Sequence, residues 1–103
     1  MGMNRDMLRR MQQMQERAAK VQEQLNATVV QGSAGGGAVT IAVSGGLKVQ
    51  SIKITPEVVD PSDVEMLEDL VTAALNEALQ KVQGLQMQQM ASVASGLRLP
   101  GLR

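Results

Sequence analysis

The sequence predicts an α+β domain in which a long helix, three short strands and a second long helix follow one another. Both ends of the chain are rich in good helix formers and carry apolar residues three and four positions apart. The middle third is interrupted by glycines and alternates β-branched with polar residues. At 103 residues, the chain is expected to form a single domain over residues 1–103.

The core of this domain has to be built without aromatic rings. The chain contains no Phe, Trp or Tyr, so Val, Ile, Leu, Ala and some of the 8 Met residues must fill it. A short chain with such small core side chains often gains support from oligomerisation. We therefore expect more than one copy to associate.

The first helix is expected over residues 4–26. Its apolar residues have heptad spacing over nearly three repeats, namely Met7, Met11, Met14, Ala18, Val21 and Leu25. A helix of this length runs for about 33 Å, which exceeds the width of a three-stranded sheet, so part of it should overhang the domain. The methionines favour packing against the second helix or a second copy. A Met-lined groove for varied client peptides is the alternative.

Three strands are expected, over residues 28–31, 38–44 and 47–55. The glycine-rich loop between the first two matches neither the phosphate-binding loop nor the dinucleotide-binding spacing, so no nucleotide site is expected. Gly45 and Gly46 predict a two-residue hairpin turn with positive φ.

The alternation of apolar and polar residues shifts by one position within the third strand. Leu47 and Val49 share one parity, whereas Ile52 and Ile54 share the other. A β-bulge near residues 50–51 would bring all four onto the face covered by the second helix.

The second helix is expected over residues 62–95. Ser62 and Glu65 have the capping-box spacing that predicts its start. Its apolar stripe is wide enough to cover a sheet and consists of Leu67, Leu70, Val71, Ala74, Leu75, Ala78, Leu79 and Val82. Gly84 is unfavourable inside a helix and suggests a bend or the close approach of another backbone. Residues 96–103 are expected to form a tail, because Pro100 prevents helix there.

Catalysis is not expected. The chain has no His and no Cys, which removes the commonest general base, the commonest metal ligand and the thiol nucleophile. No metal-ligand spacing is present, so neither a metal nor a cofactor is expected. The remaining function classes are binding modules and scaffolds.

The charges are balanced overall but unevenly placed. The chain has ten basic and ten acidic residues. This balance counts against nucleic-acid binding, for which a strongly basic domain is usual. Residues 1–26 hold five basic and three acidic residues, whereas residues 56–69 hold six acidic residues and no basic one. The local potential of a basic arm can matter more than the net charge.

Several stretches together resemble the YbaB/EbfC family of bacterial nucleoid-associated proteins. They are the Met/Gln/Arg helix, the GGGAVTIAVSGGLKVQSIKITPE region, EMLEDLVTAALNEAL and the closing MASVASGLRLPG. The resemblance covers about residues 3–102. It implies an α-β-β-β-α fold with a three-stranded antiparallel sheet, two layers, and a homodimer whose protruding helices resemble tweezers. It also implies binding to DNA with little sequence preference, and a link with recombinational repair proteins.

On this resemblance we expect a homodimer that binds double-stranded DNA through phosphate contacts and that organises the nucleoid or regulates gene expression. The expected DNA-binding residues are Arg5, Arg9, Arg10, Arg17, Lys20, Lys81, Arg98 and Arg103. No membrane span or signal peptide is evident in the sequence, so a cytoplasmic location at the nucleoid is expected.

The alternative function is a dimeric protein-binding scaffold. In that case the Met-lined helices would hold recombinational repair or replication partners, with little direct binding to DNA. A duplex-DNA titration at two salt concentrations would separate the two functions.

Overall fold

The structure is a computed structural model that describes residues 4–96. Helix α1 spans Arg5–Ala27, and helix α2 spans Val64–Gly96. Between them lie the strands β1 (Val29–Ala34), β2 (Val39–Ser44) and β3 (Val49–Ile54), and a single 3-10 turn at Pro56–Val58. The strands form an antiparallel sheet in the order β1-β2-β3, and α2 packs on one face of it. The predicted α-β-β-β-α order and antiparallel sheet are confirmed, whereas residues 97–103 of the predicted tail lie outside the described residues.

Strand β1 is longer than predicted. It continues to Ala34 because Ser33 and Ala34 pair with Thr40 and Val39 of β2. The link between the two strands is therefore a tight turn, in which residues 35–37 are glycines with φ of 64°, 67° and 94°. Glycine adopts such values without the steric cost that a Cβ would bring, which explains the three consecutive glycines.

The predicted bulge in β3 is present. Ser51 pairs with Ala42 and Val49 pairs with Val43, so Gln50 is the extra residue. Because residues paired across antiparallel strands share a face, the bulge places Val49 and Ile52 on the α2 side of the sheet. The prediction that the helix covers them was wrong, since α2 packs on β1 and β2 and leaves all of β3 exposed.

The turn between β2 and β3 differs from the prediction. Its only residue with positive φ is Leu47, at 64°, whereas Gly45 and Gly46 have ordinary values. The Ser44 backbone N–H donates to the Lys48 carbonyl at 2.8 Å, so residues 45–47 form a three-residue loop, and the Leu47 backbone N–H donates to the Ser44 carbonyl at 2.9 Å. Three-residue hairpin loops commonly end on such a left-handed residue. Gly45 is required for another reason, because a Cβ there would collide with the Leu25 carbonyl at the end of α1.

Helix α2 begins two residues later than predicted. Its first turn is capped by Asp63, whose Oδ1 accepts a hydrogen bond from the Met66 backbone N–H at 3.2 Å. Ser62 lies one residue before this cap, and its hydroxyl donates to Asp60 Oδ1 at 2.7 Å while no described backbone N–H of α2 donates to it. The capping-box prediction was therefore wrong by one residue.

The core lies between α2 and the first two strands. Its six buried residues are Val39, Ile41, Val43, Ala74, Ala78 and Val82. Alanines on α2 let the helix approach the sheet closely at Gly32, where a Cβ would collide with the Ala74 carbonyl and the Ala78 backbone N–H. At Gly84, by contrast, a Cβ would meet no described atom within 4 Å, so no other backbone of the described chain approaches it closely.

The molecule is strongly elongated. Its principal extents are 73 × 28 × 18 Å, and its radius of gyration is 20.6 Å. A compact domain of this size would have a radius of gyration of about 13 Å. The two long helices therefore extend the molecule beyond the sheet, as the length of α1 predicted.

Candidate nucleic-acid interface

The N-terminal part of α1 is an arm without tertiary contacts that bury it. The helix starts at Asn4, whose Oδ1 accepts a hydrogen bond from the Met7 backbone N–H at 2.8 Å. Every residue from 4 to 20 is exposed, Val21 is half-buried and Leu25 is buried. Because a helical residue advances about 1.5 Å, the exposed part is about 24 Å long. We call residues 4–20 the α1 arm.

The predicted basic residues of the first helix lie on one side of the α1 arm. With 100° between successive helical residues, they fall within an arc of about 140°, and they are Arg5, Arg9, Arg10, Arg17 and Lys20. The seam methionines lie on the remaining side and are also exposed, with Met11 at 47% and Met14 at 55%. The predicted packing of this seam against α2 is thus limited to its C-terminal end.

Gln13 lies near the middle of the basic arc and was not among the predicted site residues. A shallow depression of about 220 Å³ is lined by Arg10, Gln13, Met14 and Arg17. A second, of about 260 Å³, lies between Gln13, Glu16, Arg17 and Lys20. Amide side chains commonly hydrogen-bond to phosphate oxygens beside basic residues. The spacing of three and four from Arg10 and Arg17 could have identified Gln13 in the sequence.

The basic side chains of the arm are available for an anion. Among residues 4–96, the one ion pair joins Lys81 to Glu77, so no arm residue is paired with a described carboxylate. At the same 100° per residue, Asp6, Glu16 and Glu23 fall within the arc of the basic residues and reduce the charge of α1 to a net excess of two positive charges. The arm is therefore moderately basic, with its guanidinium groups directed into solvent.

Lys81 lies apart from the arm. Its Nζ donates to the Gln31 carbonyl of β1 at 2.6 Å and lies 3.4 Å from Glu77 Oε1. The structure thus places this predicted DNA-binding residue beside the sheet, with its ammonium group already hydrogen-bonded. Arg98 and Arg103, the other predicted residues from the C-terminal end, lie outside the described residues.

The acidic residues of segment 56–69 lie at the opposite end of the sheet from the α1 arm. A Cβ on Gly35 would lie 3.0 Å from Leu70 Cδ2, and the Thr55 backbone N–H donates to the Ala38 carbonyl at 2.9 Å. Both contacts place this segment at the turn between β1 and β2. The base of α1 lies instead at the turn between β2 and β3, where the Gly45 backbone N–H donates to the Thr28 carbonyl at 2.8 Å. The fold therefore separates the acidic segment from the arm along the strand direction.

Neither a metal site nor a membrane span is found in the described part of the chain. Within residues 4–96, no group of three or more His, Cys, Asp or Glu side chains is positioned to hold a metal ion. No helix in that range combines the length and the apolar character needed to cross a membrane.

Comparison with known proteins identifies the family of the chain. The model of the YbaB/EbfC DNA-binding family matches residues 1–97. The chain belongs to this family. The resemblance noted in the sequence is thereby confirmed, and the YbaB/EbfC family is described by DNA binding rather than by an enzymatic reaction.

Relatives in the YbaB/EbfC family are closely similar over most of their length. A nucleoid-associated protein of Chloroflexus aurantiacus is 51% identical over 94 residues, which cover 91% of this chain and 94% of the relative. A nucleoid-associated protein of Alkaliphilus metalliredigens is 47% identical over 97 residues, with 94% and 85% covered. A crystal structure of an uncharacterised Helicobacter pylori protein matches with a TM-score of 0.74 at 18% identity, covering 90% of this chain and 99% of the other. This structural match supports the fold alone.

Proposed function

We propose that this protein is a nucleoid-associated protein that binds duplex DNA as a homodimer, through phosphate contacts made by the α1 arm. The observation that carries the proposal is the exposed basic arc of the arm, whose members have no acidic partner among residues 4–96. Membership of a DNA-binding family supports the same conclusion. The contacting residues would be Arg5, Arg9, Arg10, Arg17 and Lys20, with Gln13 between them.

The distribution of charge supports a local interface despite the balanced net charge. The six acidic residues of segment 56–69 lie at the far end of the sheet, so they do not cancel the potential around the arm. Within a cell, charges separated by more than about 8 Å of solvent are largely screened from one another. A phosphate backbone beside the arm would therefore respond mainly to the arm.

The proposed contacts hold the duplex without reading its sequence. Arginine and lysine contacts to phosphate fix position and orientation, whereas sequence is read from base edges. The chain has no aromatic residue on which an unpaired base could stack, so duplex is favoured over single-stranded DNA. Little sequence specificity suits a role in organising the nucleoid, with effects on gene expression that follow from occupancy.

A homodimer would double the number of arms. The apolar seam of the arm and the apolar residues of β3 remain exposed in a single chain, as Met14 at 55% and Ile52 at 52% illustrate. Exposed apolar surface of this kind often marks a protein interface. Two moderately basic arms acting together would also bind DNA more tightly than either alone.

A gel-shift titration of a duplex at several salt concentrations tests this function. For the wild type, affinity should fall steeply as salt rises, because phosphate contacts release counterions. The variant Arg9→Ala with Arg10→Ala should bind at least about tenfold more weakly. A plot of the logarithm of the binding constant against the logarithm of the salt concentration should also be shallower for this variant. Its slope should change by about 0.9 for each phosphate that the variant no longer neutralises. Alanine is a good helix former, so α1 should persist in this variant.

The matched control removes the same charge from β3 and the residue that precedes it. Lys48→Ala with Lys53→Ala also deletes two exposed positive charges, but outside the arm. Its affinity should stay close to that of the wild type. If both double variants lose affinity equally, net charge rather than the arm governs binding. If the wild type gives no shift even at low salt, the proposed function is wrong.

A further inference from the structure

Three methionines lie together on one face of the α1 arm. Met7, Met11 and Met14 follow one another at intervals of four and three residues. At 100° per residue they fall within an arc of about 60°, one above the other along the helix. Their exposed fractions are 50%, 47% and 55%, so all three side chains reach solvent. We call these residues the methionine triad.

Methionine is not the residue that this chain uses where a helix covers the sheet. Between residues 67 and 82 of α2 the apolar residues are Leu, Val and Ala, and no methionine occurs. Seams that pack one helix on another are commonly built from Leu, Ile and Val. The triad instead places sulfur at three successive positions of the seam. The property that distinguishes methionine from leucine there is a polarizable thioether, which is a ligand for soft metal ions.

We propose that the methionine triad is a binding site for one soft monovalent cation of the Cu(I) type. Thioether sulfur favours Cu(I), whereas hard cations such as Mg²⁺ and Ca²⁺ prefer oxygen ligands. The chain has no His and no Cys, so neither imidazole nor thiolate competes with the methionine sulfurs. The absence of those two residues argued against the commoner metal sites, and it leaves the thioethers as the soft ligands of this chain.

The helix brings three sulfurs within reach of one ion. Side chains three and four residues apart on a helix have Cβ atoms about 5–6 Å apart. An ion beside Met11 therefore has Met7 one turn away on one side and Met14 one turn away on the other. A methionine side chain has three rotatable bonds, so the outer two can lean toward the middle one. The bound ion would then have three sulfur ligands and would hold two turns of the α1 arm together.

The triad and the basic residues lie on different sides of the arm. The middle of the triad's arc is about 140° around the helix from the middle of the basic arc. The ligands are neutral, and a cation can reach them without passing the guanidinium groups. Binding of the ion therefore does not depend on the proposed contact with DNA, and the two are measured by separate experiments.

A silver titration of the wild-type chain followed by NMR provides the direct test. Ag(I), added as the nitrate in chloride-free buffer, is the probe for a soft monovalent cation. With labelled methionine methyl groups, the signals of Met7, Met11 and Met14 should shift together and saturate at one ion per chain. Met66 is half-buried at the start of α2 and should not shift. Equal shifts of all methionines would overturn the proposal. So would the absence of a shift in the triad, which is expected if a second copy covers it.

Substitution of the central sulfur provides the second readout. Met11→Leu keeps an apolar side chain of similar size and good helix propensity, so the arm should keep its structure. The affinity for Ag(I), measured by calorimetry, should fall at least about tenfold, the smallest loss that is usual when even an outer partner of a metal site is removed. Met90→Leu is the matched control, because Met90 is 74% exposed but lies on α2, and its affinity should stay close to that of the wild type. Equal losses in the two variants would show that silver binds methionines individually and would overturn the site.

Discussion

Gly32 illustrates how a single residue sets the distance between the two layers. It lies in β1 directly beneath α2, and a Cβ there would lie 3.0 Å from Ala78 Cα in addition to colliding with α2 backbone atoms. Backbone atoms cannot move aside as the end of a flexible side chain can. The small side chains at Ala74 and Ala78 serve the same close approach from the helix side.

We predict that Gly32→Ala lowers the free energy of unfolding by at least about 2 kcal/mol, since the layers must separate to admit the methyl group. Urea denaturation followed by circular dichroism measures the change. Ser33→Ala is the control, because Ser33 is exposed on the next position of the same strand. Equal stability of the two variants would show that the layers are not in close contact at Gly32.

Asp60 has an altered acidity that follows from two local hydrogen bonds. The Ser62 hydroxyl and the Ser62 backbone N–H both donate to Asp60 Oδ1, and they hold the pKa of this carboxyl below its ordinary value. A lowered pKa stabilises the fold above the ordinary pKa of an aspartate, and that stabilisation is lost as pH falls through the lowered value. The group is fully exposed, so the effect on stability is small.

We predict that Ser62→Ala raises the pKa of Asp60 toward its ordinary value, because the hydroxyl donor is removed. An NMR titration of the Asp60 carboxyl carbon from about pH 2 to about pH 6 measures the shift. A pKa of Asp60 unchanged by the substitution would mean that the hydroxyl does not stabilise the carboxylate.

At the scale of elements, the start of α2 depends on Asp63 rather than on Ser62. We predict that Asp63→Ala lowers the free energy of unfolding by about 1 kcal/mol, which is typical when a helix N-cap is removed. Ser62→Ala should cost clearly less, because the Ser62 side chain hydrogen-bonds only to Asp60 among the described residues. Parallel urea denaturations of the two variants give the comparison. A larger loss of stability for Ser62→Ala than for Asp63→Ala would indicate that Ser62 caps the helix, as the capping box predicted.

The sequence predicted the elements better than it predicted their packing. The bulge in β3 was predictable, because the parity of Val49 and Ile52 is visible in the sequence and only one extra residue reconciles them. The N-cap was harder, since Ser62 and Asp63 are both good capping residues and only the start of α2 at Val64 shows that Asp63 is the cap. Apolar periodicity shows which face of a strand is apolar, but it does not show what covers that face.

The same distinction applies to the candidate site. The placement of Arg5, Arg9 and Arg17 on one exposed side of α1 could be predicted, because helical spacing fixes that side and the length of the helix fixes its overhang. The placement of Lys81 could not, since its contact with Gln31 joins residues 50 positions apart. The exposure of Val49, Ile52 and Ile54 on β3 also depends on the lateral position of α2, which no local pattern specifies.

At the scale of the whole molecule, the α1 arm is a part that can open without disturbing the core. A helix with few buried contacts unfolds locally at low cost. We predict that trypsin cleaves first within the arm, after residues such as Arg9 and Arg17, and that duplex DNA slows this cleavage several-fold. Mass spectrometry of the early fragments measures both rates.

Cleavage after Lys53 is the internal control for this experiment, because Lys53 lies in the sheet and outside the proposed interface with DNA. Its rate should not respond to DNA. Uniform protection of all sites would indicate that DNA acts on the protease or on global unfolding. No protection of the arm at a saturating DNA concentration would exclude the arm as the contact surface.

The separation of the acidic segment from the arm gives the molecule a permanent electric asymmetry along the strand direction of its sheet. In the field of a nucleic acid, such a molecule experiences a torque that turns its positive end forward and its negative end away. The range of this orienting force is set by the ionic atmosphere, about 30 Å at 0.01 M salt but only about 8 Å at 0.15 M. Dilute salt should therefore speed the first encounter by increasing the fraction of collisions that arrive correctly oriented.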